Sequence, residues 1–111
     1  MENETNKYEK EFYIAGVQYH RLPSLVKSKV DIKQGTKLDL VPEPTNNFDP
    51  NAIQIIFVDP SKNTYNLGYV PKRLSSEISA IITLTELECK IVELTPSAKP
   101  WEMCKVIVRE I

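Results

Sequence analysis

Glu43-Pro44-Thr45-Asn46-Asn47-Phe48-Asp49-Pro50-Asn51-Ala52-Ile53 runs directly into Gln54-Ile55-Ile56-Phe57-Val58, and this junction of a polar, turn-rich stretch with an apolar strand decides the fold. Asn and Asp close turns by bonding their own backbone, and Pro50 pushes Asp49 out of the helical region, so the stretch is stiff and specific in shape. It reads either as a structural loop with Phe48 tucked beneath it or as a binding loop that holds side chains in fixed places. Downstream, Ile53, Ile55 and Phe57 share one face while Ile56 and Val58 partly fill the other, as in a central strand. Asp59-Pro60-Ser61-Lys62-Asn63 is a turn, and residues 64–70 return antiparallel to make a hairpin.

The rest of the chain follows outward from that hairpin. Leu38 and Leu40 alternate with Lys37 and Asp39 after a turn at Gly35, which predicts a half-buried strand over 36–42. Residues 11–19, EFYIAGVQY, are rich in β-favouring types and predict the first strand. Gly16 within it implies a bulge or a close backbone approach that would turn Gln18, Tyr19 and His20 toward something. Leu22, Leu25, Val26 and Val30 sit at helical spacing, but Pro23 and the β-branched residues spoil a long helix and leave either a short helical segment at about 22–30 or an irregular excursion. Leu74, Ile78, Ile81 and Ile82 make the apolar face of a helix over about 71–83, which Pro71 can open. Residues 86–95 and 101–111 are two further strands, joined by the stiff loop Pro96-Ser97-Ala98-Lys99-Pro100. Met1 to Lys10 is polar and without period, so 1–10 reads as a flexible acidic tail and 11–111 as a single domain. Short strands at this spacing, with no repeated βαβ unit, predict a mainly β protein: a strongly bent antiparallel sheet or barrel closed at one end by the helix.

Composition narrows the function. With 111 residues, 41% apolar and 26% charged, the chain is long enough for one core and unlike a disordered sequence. A net charge of −1 argues against a protein that coats nucleic acid by bulk electrostatics, since such binding neutralises many phosphates. No window reaches the roughly 18 consecutive apolar residues of a membrane span. The acidic start lacks the pattern of a signal peptide, so an intracellular location is expected, cytoplasmic or nuclear. Cys89 and Cys104 each fall in a strand-like apolar pattern, which suits buried reduced thiols, with one disulfide between neighbouring strands as the alternative.

Enzyme patterns are thin, so no activity and no cofactor is expected. There is one histidine, no His/Cys cluster at metal spacing and no Gly-rich phosphate loop. His20 has no evident partner for general-base work, and Asn46, Asn47, Asp49 and Asn51 carry one carboxylate at a spacing that is not that of a calcium loop. A stronger clue is Lys72 with Arg73 at a helix start, where two cations and the positive end of the macrodipole make a corner for phosphate. Tyr69 stands beside it, either as packing or as the aromatic partner that single-stranded nucleic acid uses alongside a basic corner.

Taken together, Ile14-Ala15-Gly16-Val17-Gln18-Tyr19, Leu38-Asp39-Leu40-Val41-Pro42-Glu43-Pro44, Asn46-Asn47-Phe48-Asp49-Pro50-Asn51-Ala52-Ile53 and Leu67-Gly68-Tyr69-Val70-Pro71-Lys72 resemble a HIRAN domain over about residues 11–95. The resemblance implies a six-stranded OB-like barrel that binds single-stranded DNA by capturing a free 3′ end. It implies stacking by Tyr19 and Phe48, reading of the terminal hydroxyl and nearby groups by Asp49 and Asn46, and contacts from Tyr69 and Lys72 to phosphate and sugar. A carboxylate accepts a hydroxyl hydrogen bond but repels phosphate, so Asp49 would favour a free terminus. End capture also needs few cations, which reconciles the net charge with a nucleic-acid ligand. The chain departs from some relatives in carrying Gln18 where they have Arg and Tyr69 where they have His, and Trp101 is the candidate for a downstream aromatic. His20 and Arg73 complete the candidate site.

The expected function is therefore a non-enzymatic single-stranded DNA-binding module that recognises a 3′-hydroxyl end in DNA repair or replication-fork processing. Its expected partners are a DNA translocase, helicase or nuclease, in cis or in trans, and no membrane. The alternative is a protein-interaction module on the same barrel with weak or no DNA binding. A fragment of a nuclease or other enzyme is a weaker third reading.

Overall fold

The computed structural model describes residues 7–20, 22–25, 27–28 and 31–111. Six strands, β1 (Glu9–Tyr13), β2 (Lys37–Pro42), β3 (Ile53–Val58), β4 (Thr64–Tyr69), β5 (Leu87–Leu94) and β6 (Cys104–Glu110), are joined by helices α1 (Leu22–Leu25) and α2 (Lys72–Ile82). The strands form one antiparallel sheet in the order β1-β6-β5-β2-β3-β4, curled into an OB-like half-barrel. Its two edges, β1 and β4, meet through an isolated bridge in which Ala15 and Tyr69 exchange both backbone hydrogen bonds, each 2.9 Å.

Alternation explains which face is inside. Ile53, Ile55 and Phe57 of β3 and Cys104, Val106 and Val108 of β6 point inward and are buried. The outward residues of β3 do less than their apolar character suggests, Ile56 being half-buried and Val58 exposed. Leu74 and Ile78 of α2 join the same core, together with Ile14, Val17, Leu22 and Leu67. Each such fully buried side chain contributes about 1.5–3 kcal/mol. Ile81 and Ile82 stay half-buried because α2 ends there and only its first turns lie on the core.

Several boundaries differ from those read from sequence. The strand expected over 11–19 stops at Tyr13. Gly16 takes φ +72°, which breaks extended backbone, and Val17–Tyr19 turns into a short 3-10 helix. At its other end β1 includes Glu9 and Lys10, part of the expected tail, because they pair with Arg109 and Val108 of β6. Residues 1–6 of that tail lie outside the described residues, as do Val26, Lys29 and Val30 of the helical segment expected at 22–30, of which α1 covers Leu22–Leu25. The last strand starts at Cys104, since Pro100 opens a 3-10 turn, Pro100–Glu102, that carries Trp101. Pro71 caps α2 from outside it, with φ −56° and ψ 143°.

Cys89 and Cys104 are free and buried. Burial pushes the Cys104 thiol up to about 12 and raises that of Cys89 as well. Among the described residues no helix is long and apolar enough to cross a membrane, and no group of three His, Cys, Asp or Glu side chains is placed to hold a metal ion.

Candidate nucleic-acid interface

The loop before β3 is built by its own side chains. The Asn46 Oδ1 accepts from the backbone N–H of Phe48 at 2.8 Å and of Asp49 at 3.0 Å. Asp49 Oδ1 in turn accepts from the Asn51 N–H at 2.8 Å. Backbone bonds from Asn46 N to the Glu43 carbonyl and from Ala52 N to the Asp49 carbonyl, both 3.0 Å, tie the ends down. With its hydrogen bonds satisfied internally, the loop holds the Phe48 ring out in solvent, 88% exposed.

Across from it, the turn forced by Gly16 presents Tyr19, 80% exposed, at the end of the 3-10 helix. A third wall comes from β4. The β3–β4 register slips between Ile55 and Ile56, which pair with Gly68 and Asn66, leaving Leu67 as the extra residue. Gly68 sits at φ +144°, and a Cβ there would fall 2.4 Å from the Ala15 carbonyl oxygen and 2.6 Å from Ile14 Cγ2. Only glycine permits the close approach that forms the Ala15–Tyr69 bridge and so brings the Tyr69 ring to the rim.

These walls enclose a cleft of about 610 Å³. It is lined by Tyr19, Asn46, Phe48, Asp49, Tyr69 and Lys72, with His20 at its edge and Ala15, Gly16, Ala52 and Val70 forming its floor. The Tyr69 and His20 rings lie 5.6 Å apart, tilted by 57°. All six principal site residues expected from sequence thus share one cavity, and His20 joins them. Gln18, Arg73 and Trp101 do not line it. Gln18 and Arg73 are exposed beside lining neighbours. Trp101 is 55% exposed, not packed as a Trp opening a strand would be, and Lys99 Nζ lies 5.5 Å from its ring centroid. Its 3-10 turn rests against the one that ends in Tyr19.

Electrostatics at the floor centre on Asp49. Its Oδ2 accepts from Ser75 Oγ at 2.7 Å, a charge-assisted bond that takes the hydroxyl proton in preference to the Lys72 carbonyl at 3.1 Å. The Ser75 bond first, then the Asn51 N–H, with the Lys72 charge assisting, hold the carboxyl below its usual value against partial desolvation. Each carboxylate oxygen therefore keeps a lone pair for a ligand donor while the group stays ionised. No side chain caps α2, and although the Leu74 N–H bonds the Pro71 carbonyl at 2.9 Å, the positive end of the helix dipole beside Lys72 favours an anion. Lys72 forms no ion pair with another described residue.

Two contributors were not read as site residues from sequence. Ser75 is 2% exposed and lies three residues before Ile78 on the same apolar face; a lone hydroxyl in that stripe was the available sign. Glu43 does not line the cleft, yet its Oε1 accepts from Asn46 Nδ2 at 2.7 Å and from the Tyr69 hydroxyl at 3.0 Å. Burial first, then that bond and the Glu43 charge, hold the Tyr69 phenol above its usual value, against a smaller opposing effect of the Asn66 amide. No sequence spacing announces a contact across 26 residues. The Asn46 amide spends its oxygen and one hydrogen inside the loop, leaving one N–H for anything in the cleft.

A small OB-like half-barrel with a solvent-facing aromatic cleft beside one cation defines a class of binding module. The chain belongs to the HIRAN domain family, whose model matches residues 7–108. Its fold is similar to the crystal structure of the HIRAN domain of human HLTF, with a TM-score of 0.64 at 17% identity, covering 91% of this chain and 74% of that one. No curated protein matches the chain. HIRAN domains are known generally as DNA-binding modules and are binding units, not catalytic by themselves.

Proposed function

We propose that this chain is a single-stranded DNA-binding module that grips a free 3′-hydroxyl end, in DNA repair or replication-fork processing. The observation that carries the proposal is the placement of two outward rings, Tyr19 and Phe48, around a carboxylate, Asp49, that is held ionised with free lone pairs. Bases stack on the rings, the terminal hydroxyl donates to Asp49, and Lys72 at the positive end of α2 takes one phosphate. Trp101 and Lys99, on the neighbouring turn, offer the next base and phosphate a platform. A translocase, helicase or nuclease is the partner such a module would serve, joined to it or recruited.

Fluorescence anisotropy with matched single strands ending in 3′-hydroxyl or 3′-phosphate tests the proposal. Tighter binding of the hydroxyl end is expected, and equal affinity would remove the role given to Asp49. The charge balance of the cleft, Lys72 against Asp49 with Glu43 behind it, favours one other reading, a groove for a peptide of a protein partner. Absence of DNA binding at low salt, with a protein partner retained on purification, would select that reading.

A further inference from the structure

The Tyr69 hydroxyl has one proton to give, and the structure assigns it. Glu43 Oε1 lies 3.0 Å from it and is itself fixed by Asn46 Nδ2 at 2.7 Å, while the Glu43 N–H bonds the Ala52 carbonyl at 2.8 Å. The carboxylate is therefore aimed at the phenol from the ordered base of the loop, and a charge-assisted bond of this kind outcompetes a neutral acceptor. What the hydroxyl retains for the cleft is lone pairs.

We infer that Glu43 is a positioning residue that sets the hydrogen-bonding sense of the cleft wall: by taking the Tyr69 proton it leaves that wall able only to accept, so the group seated against Tyr69 is a donor, a sugar hydroxyl or base N–H, and not a phosphate oxygen. A phosphodiester offers lone pairs alone, and two sets of lone pairs repel. Phosphate is thereby confined to the Lys72 side of the cleft, and with the single proton of the terminal hydroxyl given to Asp49, Tyr69 is left to accept from a base N–H. The contact to phosphate that the family resemblance implies for Tyr69 is replaced by one to a donor. This inference rests on the single-strand reading above and adds to it the chemical class of the group that each wall takes.

The test compares wild type, Glu43→Gln, Tyr69→Phe and the double variant, each with the 3′-hydroxyl and 3′-phosphate strands. Glu43→Gln keeps the shape of the side chain but replaces the charged acceptor with a neutral amide, so the hold on the phenol proton weakens and the hydroxyl can turn to donate into the cleft. The preference for hydroxyl over phosphate is expected to fall about three- to tenfold, the worth of one hydrogen bond. In the Tyr69→Phe background the same change is expected to leave the preference where it is. Equal weakening of both strands by Glu43→Gln, or an undiminished effect without the Tyr69 hydroxyl, would overturn the inference while leaving end recognition intact. Tyrosine 13Cζ NMR supplies a readout without DNA: Tyr69 is expected to titrate above an ordinary tyrosine in wild type and to move back in Glu43→Gln. Identical Tyr69 titration in the two proteins would refute the role given to Glu43 whatever the strands do. Failure of wild type to bind either strand would remove the single-strand reading and this inference with it.

Discussion

Tyr19 and Phe48 do almost nothing for the fold, because their rings face water. Replacing either with Ala is expected to weaken single-strand binding by about 1–3 kcal/mol, measured by anisotropy, with the melting temperature unmoved. Asp49 is the opposite kind of residue, since the carboxylate offered to a ligand also anchors the loop to α2 through Ser75. Its value in the folded protein lies below that of the unfolded chain, so its stabilising effect is present above the ordinary carboxylate range near about pH 4 and is lost as pH falls through the depressed native value. Denaturation midpoints of wild type and Asp49→Asn should therefore differ at neutral pH and converge in strong acid. Asp49 and Phe48 were legible in the sequence because Asx-turn chemistry and proline fix a loop locally. Glu43 and Ser75 were not, because their partners are brought to them by the curl of the sheet.

Among the elements, the β4 bulge has the largest consequence for the cleft. Gly68→Ala would set a methyl carbon against the Ala15 carbonyl and hold a side chain at φ +144°, a cost on the order of 3 kcal/mol or more. Gly35, at φ +90° with nothing within 4 Å of an added Cβ, provides the contrast: Gly35→Ala should cost only the backbone strain, about 1–2 kcal/mol. Chemical denaturation of the two variants separates close approach from conformational strain. Gly16 signalled an interruption in the first strand, but whether it would give a bulge or a turn depends on β4 arriving beside Ala15, a long-range fact. The same holds for Trp101, whose alternating neighbours suggest one strand up to the point where Pro100 starts a turn. The hairpin of β3 and β4 and the face of α2 were readable because their periodicity is local, and the order β1-β6-β5-β2-β3-β4 was not, because it pairs the two ends of the chain.

At the scale of the molecule, a net charge of −1 and a single lining cation predict how binding responds to salt. One or two phosphate contacts give a slope of log affinity against log salt of about −1, far shallower than for a protein that coats its ligand, and anisotropy at several salt concentrations measures it. The half-barrel carries one more implication. Among the described residues its two edges are fastened by a single pair of hydrogen bonds between Ala15 and Tyr69, and both of these residues line the cleft. On the proposed reading, the seam of the cylinder and the place where a strand would lie are one location, and a seated strand would act as a stitch across it. Amide hydrogen exchange at Ala15 and Tyr69 should slow on binding far more than in the β5–β6 ladder. Occupancy would then be written into the mechanical integrity of the domain: the joint closed in the empty module would still open from time to time, and in a loaded one it would open less often.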